Sequence, residues 1–308
     1  MDVLDDILDT LALEGALYFR TDFSPPWGVT VPDYERVARF HLVVEGQLYV
    51  GFADGSNAVL GPGDVVLIPH GRKHVLADAP GREVPPLETV LKEAGYGGEG
   101  VFVVGTGNSS AATQMICGHF NFRDGGDHPI LRSLPEQLVI TASMRARQPW
   151  LDEILRLIAR RMFEEGAGSR AAATRLSEVL FIELLRSAVE QGAMPGSVLS
   201  ALRDRQIGRA LHLVHARAAE PWTVERLATE VGMSRSRFAE RFSELVGLGP
   251  MAYLADWRLQ KALSLLDDTR CSVQQVAFRT GYRSPAAFTR AFAGKFGKPP
   301  TEYCRGLA

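Results

Sequence analysis

One short helical pattern occurs twice in the C-terminal third of the chain. The stretch "VERLATEVGMSRSRFAERF" runs from Val224 to Phe242, and "VQQVAFRTGYRSPAAFTRAF" runs from Val273 to Phe292. Laid over each other, Val224 meets Val273, Leu227 meets Val276, Ala228 meets Ala277 and Gly232 meets Gly281. After one inserted residue, Phe238 meets Phe288, Phe242 meets Phe292, Gly247 meets Gly297, Pro250 meets Pro300 and Tyr253 meets Tyr303. Each copy spells a helix, a tight turn at glycine and a second helix. A helix-turn-helix needs this order, because two helices crossing steeply through a short turn require a small residue at the crossing and a residue that tolerates positive φ at the turn. Ala228 and Ala277 are the small residues, and Gly232 and Gly281 are the turns. Ser234 and Ser284 stand where they would cap the second helices. Phe238, Phe242 and Leu245 share one face of the first of these and would fix it to a core.

Helical rotation then predicts the exposed face. With steps of about 100° from Phe238, Ser236 and Glu240 lie nearly opposite it and Arg237 lies beside them. In the second copy Ala286 and Arg290 take those positions, with Ala287 beside them and Ser284 at the helix start. These are the side chains such a helix would present to a DNA major groove. Arg290 can pair with guanine O6 and N7, and Glu240 can accept from cytosine N4. Arg235, Arg237, Arg241 and Arg283 are placed for phosphates.

Charge supports a polyanion partner for this part of the chain. From Arg203 to Ala308 there are 17 Lys and Arg against 10 Asp and Glu, whereas the residues before it hold 17 against 26. The net charge of -2 hides that asymmetry. Residues Ile207 to Arg305 resemble the C-terminal domain of AraC-type transcription regulators. "PMAYLADWRLQKALSLLDDT" is similar to the family's joining helix, and "FGKPPTEY" to its closing signature. The resemblance implies two recognition helices held apart by a rod, entering successive major grooves of double-stranded DNA about 34 Å apart.

Before residue 149 the pattern is mostly β. "FHLVVEGQLYVGF" and "AVLGPGDVVLIP" are short apolar segments punctuated by "ADGSN" and "GPGD", and "VFVVGTG" and "TQMICGHFNF" read as later strands. Asp78 to Gly100 reads as an inserted loop with a short helix at "LETVLKEAG". Gly63, Pro69, Gly71 and His74 stand in the spacing G-x5-P-x-G-x2-H, which resembles the second motif of cupins, small β-barrels that often hold a metal or small ligand. His41 falls in a ligand position of the first motif. The pattern departs at Val43, where a metal-binding cupin has its second histidine, and at Glu45, which comes too early to be the motif's glutamate.

A reduced site of His41, His74 and Cys117 remains, with His119 on Cys117's strand face by period two. Two His and one Cys suit Zn²⁺ with an open fourth position, and a metal-adjacent thiolate would make an oxidation-sensitive switch. The other reading is that both histidines are hydrogen-bonded barrel residues and Cys117 is a small buried hydrophobe.

From Pro149 the period becomes helical, with Leu151, Ile154, Leu155 and Ile158 on one stripe, and "RAAATRLSEVLFIELLRSAVEQG" follows as a second helix. These helices serve either as core or as a dimer interface. The expected architecture is α+β and multidomain. A cupin-like β-barrel spans 1–148, a helical linker and dimerisation segment spans 149–195, and an all-α DNA-binding domain spans 203–308. Within the last, the first helix-turn-helix covers 223–246, the joining helix 250–267 and the second helix-turn-helix 272–296. A fragment from about Gly196 is expected to fold alone.

The three cysteines are odd in number and far apart, and the acidic start "MDVLDDILDT" lacks the pattern of a signal peptide. Both point to a reducing cytoplasm, and no run is long enough for a membrane span. The function expected is a DNA-binding regulator, not an enzyme. Its barrel would sense a small molecule, metal or oxidant, and its partners would be DNA, a second copy of itself and RNA polymerase. A cupin metalloenzyme fused to a nucleic-acid-binding module is the alternative.

Overall fold

The computed structural model describes residues 3–34, 37–98, 100–105, 110–123, 128–145, 148–163, 166–190, 201–267 and 271–305. In chain order, helix α1 (Val3–Leu11) precedes strands β1 (Glu14–Phe23), β2 (Gly28–Val31), β3 (Val37–Glu45), β4 (Leu48–Phe52), β5 (Asn57–Leu60), β6 (Val65–Ile68) and β7 (His74–Ala77). Helix α2 (Leu87–Glu93), β8 (Val101–Val104), β9 (Thr113–Asn121), α3 (Pro129–Arg132), β10 (Leu138–Ile140) and α4 (Ala142–Arg145) follow. Two long helices, α5 (Pro149–Phe163) and α6 (Ser169–Glu190), come next. Then come α7 (Arg205–Ala216), α8 (Val224–Glu230), α9 (Arg235–Val246), α10 (Pro250–Leu266), α11 (Val273–Arg279), α12 (Pro285–Phe296) and α13 (Pro300–Arg305).

These elements sort into two compact units. One holds Glu14–Asn121 and Pro135–Gln191, and the other holds Met1–Leu13, Phe122–Leu134 and Gly192–Ala308. The division cuts the chain differently from the sequence pattern, which assigns 1–148 to a single, mostly β domain. Val3–Leu11 is helical and belongs with the C-terminal helices, as do residues 122–134, whereas α5 and α6 belong with the strands. Residues 191–195 of the expected dimerisation segment lie outside the described residues.

The β unit has a six-stranded sheet in the order β10-β6-β3-β9-β1-β8 and a four-stranded sheet in the order β2-β7-β4-β5. Central strand β3 is apolar along most of its length because both of its faces are covered. On one face Phe40 stacks on Phe120, which packs in turn on Phe181 of α6. The same helix is tied to β1, where Gly15 N–H donates to Glu178 Oε1 at 3.1 Å. The other face carries the core with Phe23, Val29, Val50, Met115 and Cys117. The turn before β7 depends on Gly71. Its φ is +61°, and a Cβ there would lie 2.4 Å from the carbonyl oxygens of Tyr34 and Val37. Only glycine fits, and this turn delivers His74 to the start of its strand.

In the helical unit both copies of the repeat fold alike. After α8, Gly232 N–H donates to Thr229 O and Met233 N–H to Ala228 O; after α11, Gly281 N–H donates to Phe278 O and Tyr282 N–H to Ala277 O. This is the Schellman ending that the paired glycines foreshadow, with φ of +67° and +86°. The inserted residue falls in the turn, since α9 starts at Arg235 and α12 at Pro285. Ser284 caps α12 by accepting from Ala287 N–H at 3.2 Å, as expected. Ser234 differs: it stands at the N-cap of α9, but its side chain makes no capping bond. Leu245 is only half-buried, and Val246 joins Phe238 and Phe242 in the core instead. The buried stripe of this helix therefore follows i, i+4, i+8 spacing.

Candidate functional site

Two places carry chemistry, the exposed faces of α9 and α12 and the interior of the β unit. Helix α9 is anchored by buried Phe238, Phe242 and Val246, and α12 by buried Phe288 and Phe292. Anchoring one stripe leaves the opposite one in solvent. Arg235, Ser236, Arg237, Glu240 and Arg241 are exposed on α9, and Ala286 and Arg290 on α12, with Arg283 exposed in the turn. Ala287 and Ser284 are half-buried. Two of the arginines are engaged within the unit: Arg235 pairs with Glu225, and Arg241 bridges Asp204 at 3.2 Å and Glu244 at 3.0 Å.

Asp204 also caps α7 through the N–H groups of Gln206 and Ile207. Burial works against its ionised form, but those N–H groups and Arg241 outweigh it and lower its pKa. Next to it, the Gln206 amide donates to Val231 O at 3.0 Å and so ties α7 to the first turn. Between the helix-turn-helix units, α10 acts as the rod. Its Arg258 donates to the carbonyls of Ala218 and Glu220, each at 2.7 Å, and its Asp256 pairs with Lys295 of α12.

Inside the β unit, His41 of β3 is in register with Cys117 of β9. His41 Nδ1 lies 3.0 Å from Cys117 Sγ, and His41 Nε2 lies 3.0 Å from His74 Nε2. His74 Nδ1 lies 2.7 Å from the carbonyl oxygen of Arg72. That carbonyl can only accept, so it assigns every proton in the line. His74 Nδ1–H donates to Arg72 O, leaving Nε2 to accept from His41 Nε2–H. His41 Nδ1 must then accept, and the Cys117 S–H donates to it. His41, His74 and Cys117 are all buried.

Burial, with His74 and Arg39 adding to it, holds the His41 pKa well below its usual value. Burial also lowers His74 to about 4, despite the opposing bond to Arg72 O, and pushes the Cys117 thiol up to about 12. The line is therefore neutral at neutral pH. His119 lies two residues along β9, half-buried, opposite Arg39 in the ladder. Its pKa is lowered by burial and then by Arg39.

This geometry brings the three residues together and agrees with the reading of both histidines as hydrogen-bonded barrel residues, whereas it does not suit the alternative of a Zn²⁺ site. A metal needs lone pairs converging on one point and a deprotonated cysteine. Here His41 turns its two nitrogens to two different neighbours, each imidazole lone pair in the line already accepts a proton, and Cys117 holds its own. Among the described residues no group of three or more His, Cys, Asp or Glu side chains is arranged to hold a metal ion. A thiol raised this far and buried is also a poor target for oxidants, which react with thiolates. Beside the line lies a cavity of about 20 Å³, walled by Phe23, Val31, Leu76, Phe102 and Met115, with Arg39, His41 and Cys117 also lining it. That is room for about one water. Arg39 is buried there, its guanidinium 3.9 Å from the centre of the Tyr34 ring. The sequence pattern did not single out Arg39, although it stands two residues before His41 and so shares that strand face.

A family model described as a cupin matches residues 2–190, and one described as a helix-turn-helix domain matches residues 227–306. The chain is 30% identical over 305 residues to the HTH-type transcriptional regulator AlkR of Acinetobacter baylyi, covering 98% of this chain and 99% of that one. It is 26% identical over 306 residues to the HTH-type transcriptional regulator MtrA of Neisseria gonorrhoeae, covering 98% of each. A putative AraC-like transcription regulator of Streptomyces lividans is 29% identical over 308 residues, again covering 98% of each.

Proposed function

The chain belongs to the AraC-type helix-turn-helix transcription regulators with an N-terminal cupin domain, and from that premise we propose that α9 and α12 read two adjacent major grooves while the barrel answers to a small, largely apolar molecule. As a member of this family it is a DNA-binding regulator and not an enzyme, so the metalloenzyme alternative falls. The observation that carries the groove assignment is the pair of matching helices, each with its aromatic stripe buried and its polar stripe in solvent. Arg290 and Glu240 are the base-reading side chains, with Ser236, Ala286 and Ala287 close enough to the bases for contact. Arg235, Arg237, Arg241, Arg283 and the Ser284 hydroxyl hold phosphates. Arg235 and Arg241 exchange their carboxylate partners for phosphate on binding.

The effector class follows from the cavity. Its apolar wall suits a small hydrocarbon or aromatic body. A molecule larger than water has to part the two sheets there, which is how occupancy becomes a change of shape. The α5–α6 pair supplies a dimer interface, supported by the exposed Trp150 and Val179. Among the described residues no helix is long and apolar enough to cross a membrane, which agrees with action on DNA in the cytoplasm.

The test is to select DNA from a random library with the full chain and footprint the enriched sequence. Two protected tracts about one helical turn apart are expected, and a single short tract would overturn the two-groove assignment. Thermal melting and DNA affinity with benzoate and benzyl alcohol as probes check the effector class. Full insensitivity to both would remove it.

A further inference from the structure

The helical unit is not built from C-terminal residues alone. Helix α1 packs on α7 and α10, and its Asp6 is buried there. Asp6 Oδ2 lies 3.2 Å from His215 Nδ1 of α7, and Asp6 Oδ1 lies 3.4 Å from Lys261 Nζ of α10. His215 Nε2 lies 2.8 Å from the Tyr253 hydroxyl of α10, which lies 3.4 Å from His128 Nε2. His128, just ahead of α3, sits edge-on to Trp257, and the His215 ring lies 4.1 Å from Trp257 between centroids. Nearby, Arg123 N–H donates to Leu11 O, and the Arg123 guanidinium pairs with Asp267.

Proton positions again follow from the acceptor at one end. The carboxylate accepts from His215 Nδ1–H, so His215 Nε2 accepts from the Tyr253 hydroxyl, and the Tyr253 oxygen accepts from His128 Nε2–H. Asp6, His215, Tyr253, His128 and Trp257 are all buried.

We propose that α1 and residues 128–134 form a proton-sensitive latch on α10, the rod between the two recognition helices, closed by the chain Asp6–His215–Tyr253–His128. A second proton on His215 breaks the chain, because Nε2 would become a donor facing the Tyr253 hydroxyl donor, and a second proton on His128 would add a buried charge beside that same hydroxyl. The charged groups facing the chain are Lys261 and His212 toward His215, Asp256 toward Tyr253, and Arg132 and Lys295 toward His128. All but Asp256 oppose protonation of the imidazole they face. Asp6 favours it at His215, but burial outweighs Asp6, so His215 is lowered, and burial lowers His128 further. In the open state both imidazoles return toward 6.5. The open state thus binds more protons, and acid opens the latch.

The latch lies wholly in the DNA-binding unit and does not depend on what the barrel holds. Its consequence for regulation is by connectivity: β1 follows α1 directly, and residues 122–134 follow β9 directly. These two strands pair with each other and line the cavity.

The experiment is hydrogen exchange by mass spectrometry on the full chain at pH 8.0 and pH 5.5, corrected for intrinsic rates, with Trp emission alongside. At pH 5.5, one unit below 6.5, opening should rise by up to about tenfold for each imidazole, and His128, the more strongly lowered of the two, should contribute the larger share. The rise should be confined to α1 and residues 128–134 while β3 and β9 stay protected. Trp257 emission should fall on acidification, because an imidazolium against indole quenches it. His215→Gln and His128→Gln together should keep α1 protected at pH 8.0 and remove the response to acid. If that variant does not fold, the wild-type comparison of α1 with β3 and β9 still decides. Exchange of α1 that does not change with pH, or that rises only together with the barrel strands, overturns the latch, as does an unaltered acid response in the double variant.

Discussion

At the scale of single residues, hydrogen-bond donors and acceptors decide what the barrel interior can do. The Arg72 carbonyl orders three side chains into one neutral line. Cys117 matters there as a donor, so Cys117→Ser should melt close to the parent. Cys117→Val, which leaves His41 Nδ1 without a donor, should cost about 1–3 kcal/mol in denaturant unfolding. Equal losses in the two variants would contradict the line. His74 carries a pH prediction. Its folded pKa is lowered from 6.5 to about 4, so the unfolded chain binds the extra proton between these values. The stabilisation is complete above about pH 6.5 and is lost as pH falls toward 4, in total on the order of 3 kcal/mol. Stability of His74→Gln should therefore fall less steeply than the parent between pH 6.5 and 4.5. On the DNA face, Arg290→Ala should cost about 1–3 kcal/mol on a selected site and relax one base position. Arg237→Ala should weaken all sequences alike and flatten the salt dependence of binding. Unchanged base preference in Arg290→Ala would displace the register of α12.

At the scale of elements, the two helix-turn-helix copies differ in ways their alignment hides. Gly232 and Gly281 both take positive φ, but a Cβ at Gly232 would meet open space, while one at Gly281 would lie 2.8 Å from backbone atoms of Ala219. Gly232→Ala should therefore cost only the backbone strain, about 1 kcal/mol, and Gly281→Ala distinctly more. The measurement is thermal unfolding of the two variants side by side, and equal shifts would refute the close approach. Capping is uneven as well. Ser284→Ala should lower stability by about 1 kcal/mol, and Ser234→Ala by less, since only Ser284 makes the capping bond. The spacing of small residues and glycines made both units legible because a helix end is a local event, set within a few residues. Whether a capping hydroxyl turns inward, or a turn touches the segment between α7 and α8, depends on neighbours that a linear pattern does not contain.

At the scale of the whole molecule, the boundary of the DNA-binding unit moves. A fragment beginning near Gly196, which the sequence pattern presents as self-contained, would uncover Tyr253, Trp257 and His215. Such a fragment should be less stable than the same unit in the full chain. Adding a peptide of residues 1–13 should partly restore its Tm. A fragment with the full chain's stability for this unit would show that α1 contributes nothing. The signal for α1 was present: Val3, Ile7, Leu8 and Leu11 recur at helical spacing. Its destination was not, because nine residues with one apolar stripe fit many surfaces.

The sequence by itself determined what depends on local repetition and on residue type at fixed spacing. The duplicated helix-turn-helix, its exposed stripe, the rod between the copies and the cupin turn that ends at His74 were all readable, since each rests on backbone geometry within a few residues. Only the tertiary structure decided the rest. It set His41, His74 and Cys117 in a hydrogen-bonded line instead of around a metal, because ring orientation and protonation depend on contacts between different strands and on burial from all sides. It also carried α1 and residues 122–134 over to the C-terminal helices, because an amphipathic segment is placed by the surface that best buries it, and that surface is made of residues 209 positions from Asp6 and 125 from His128.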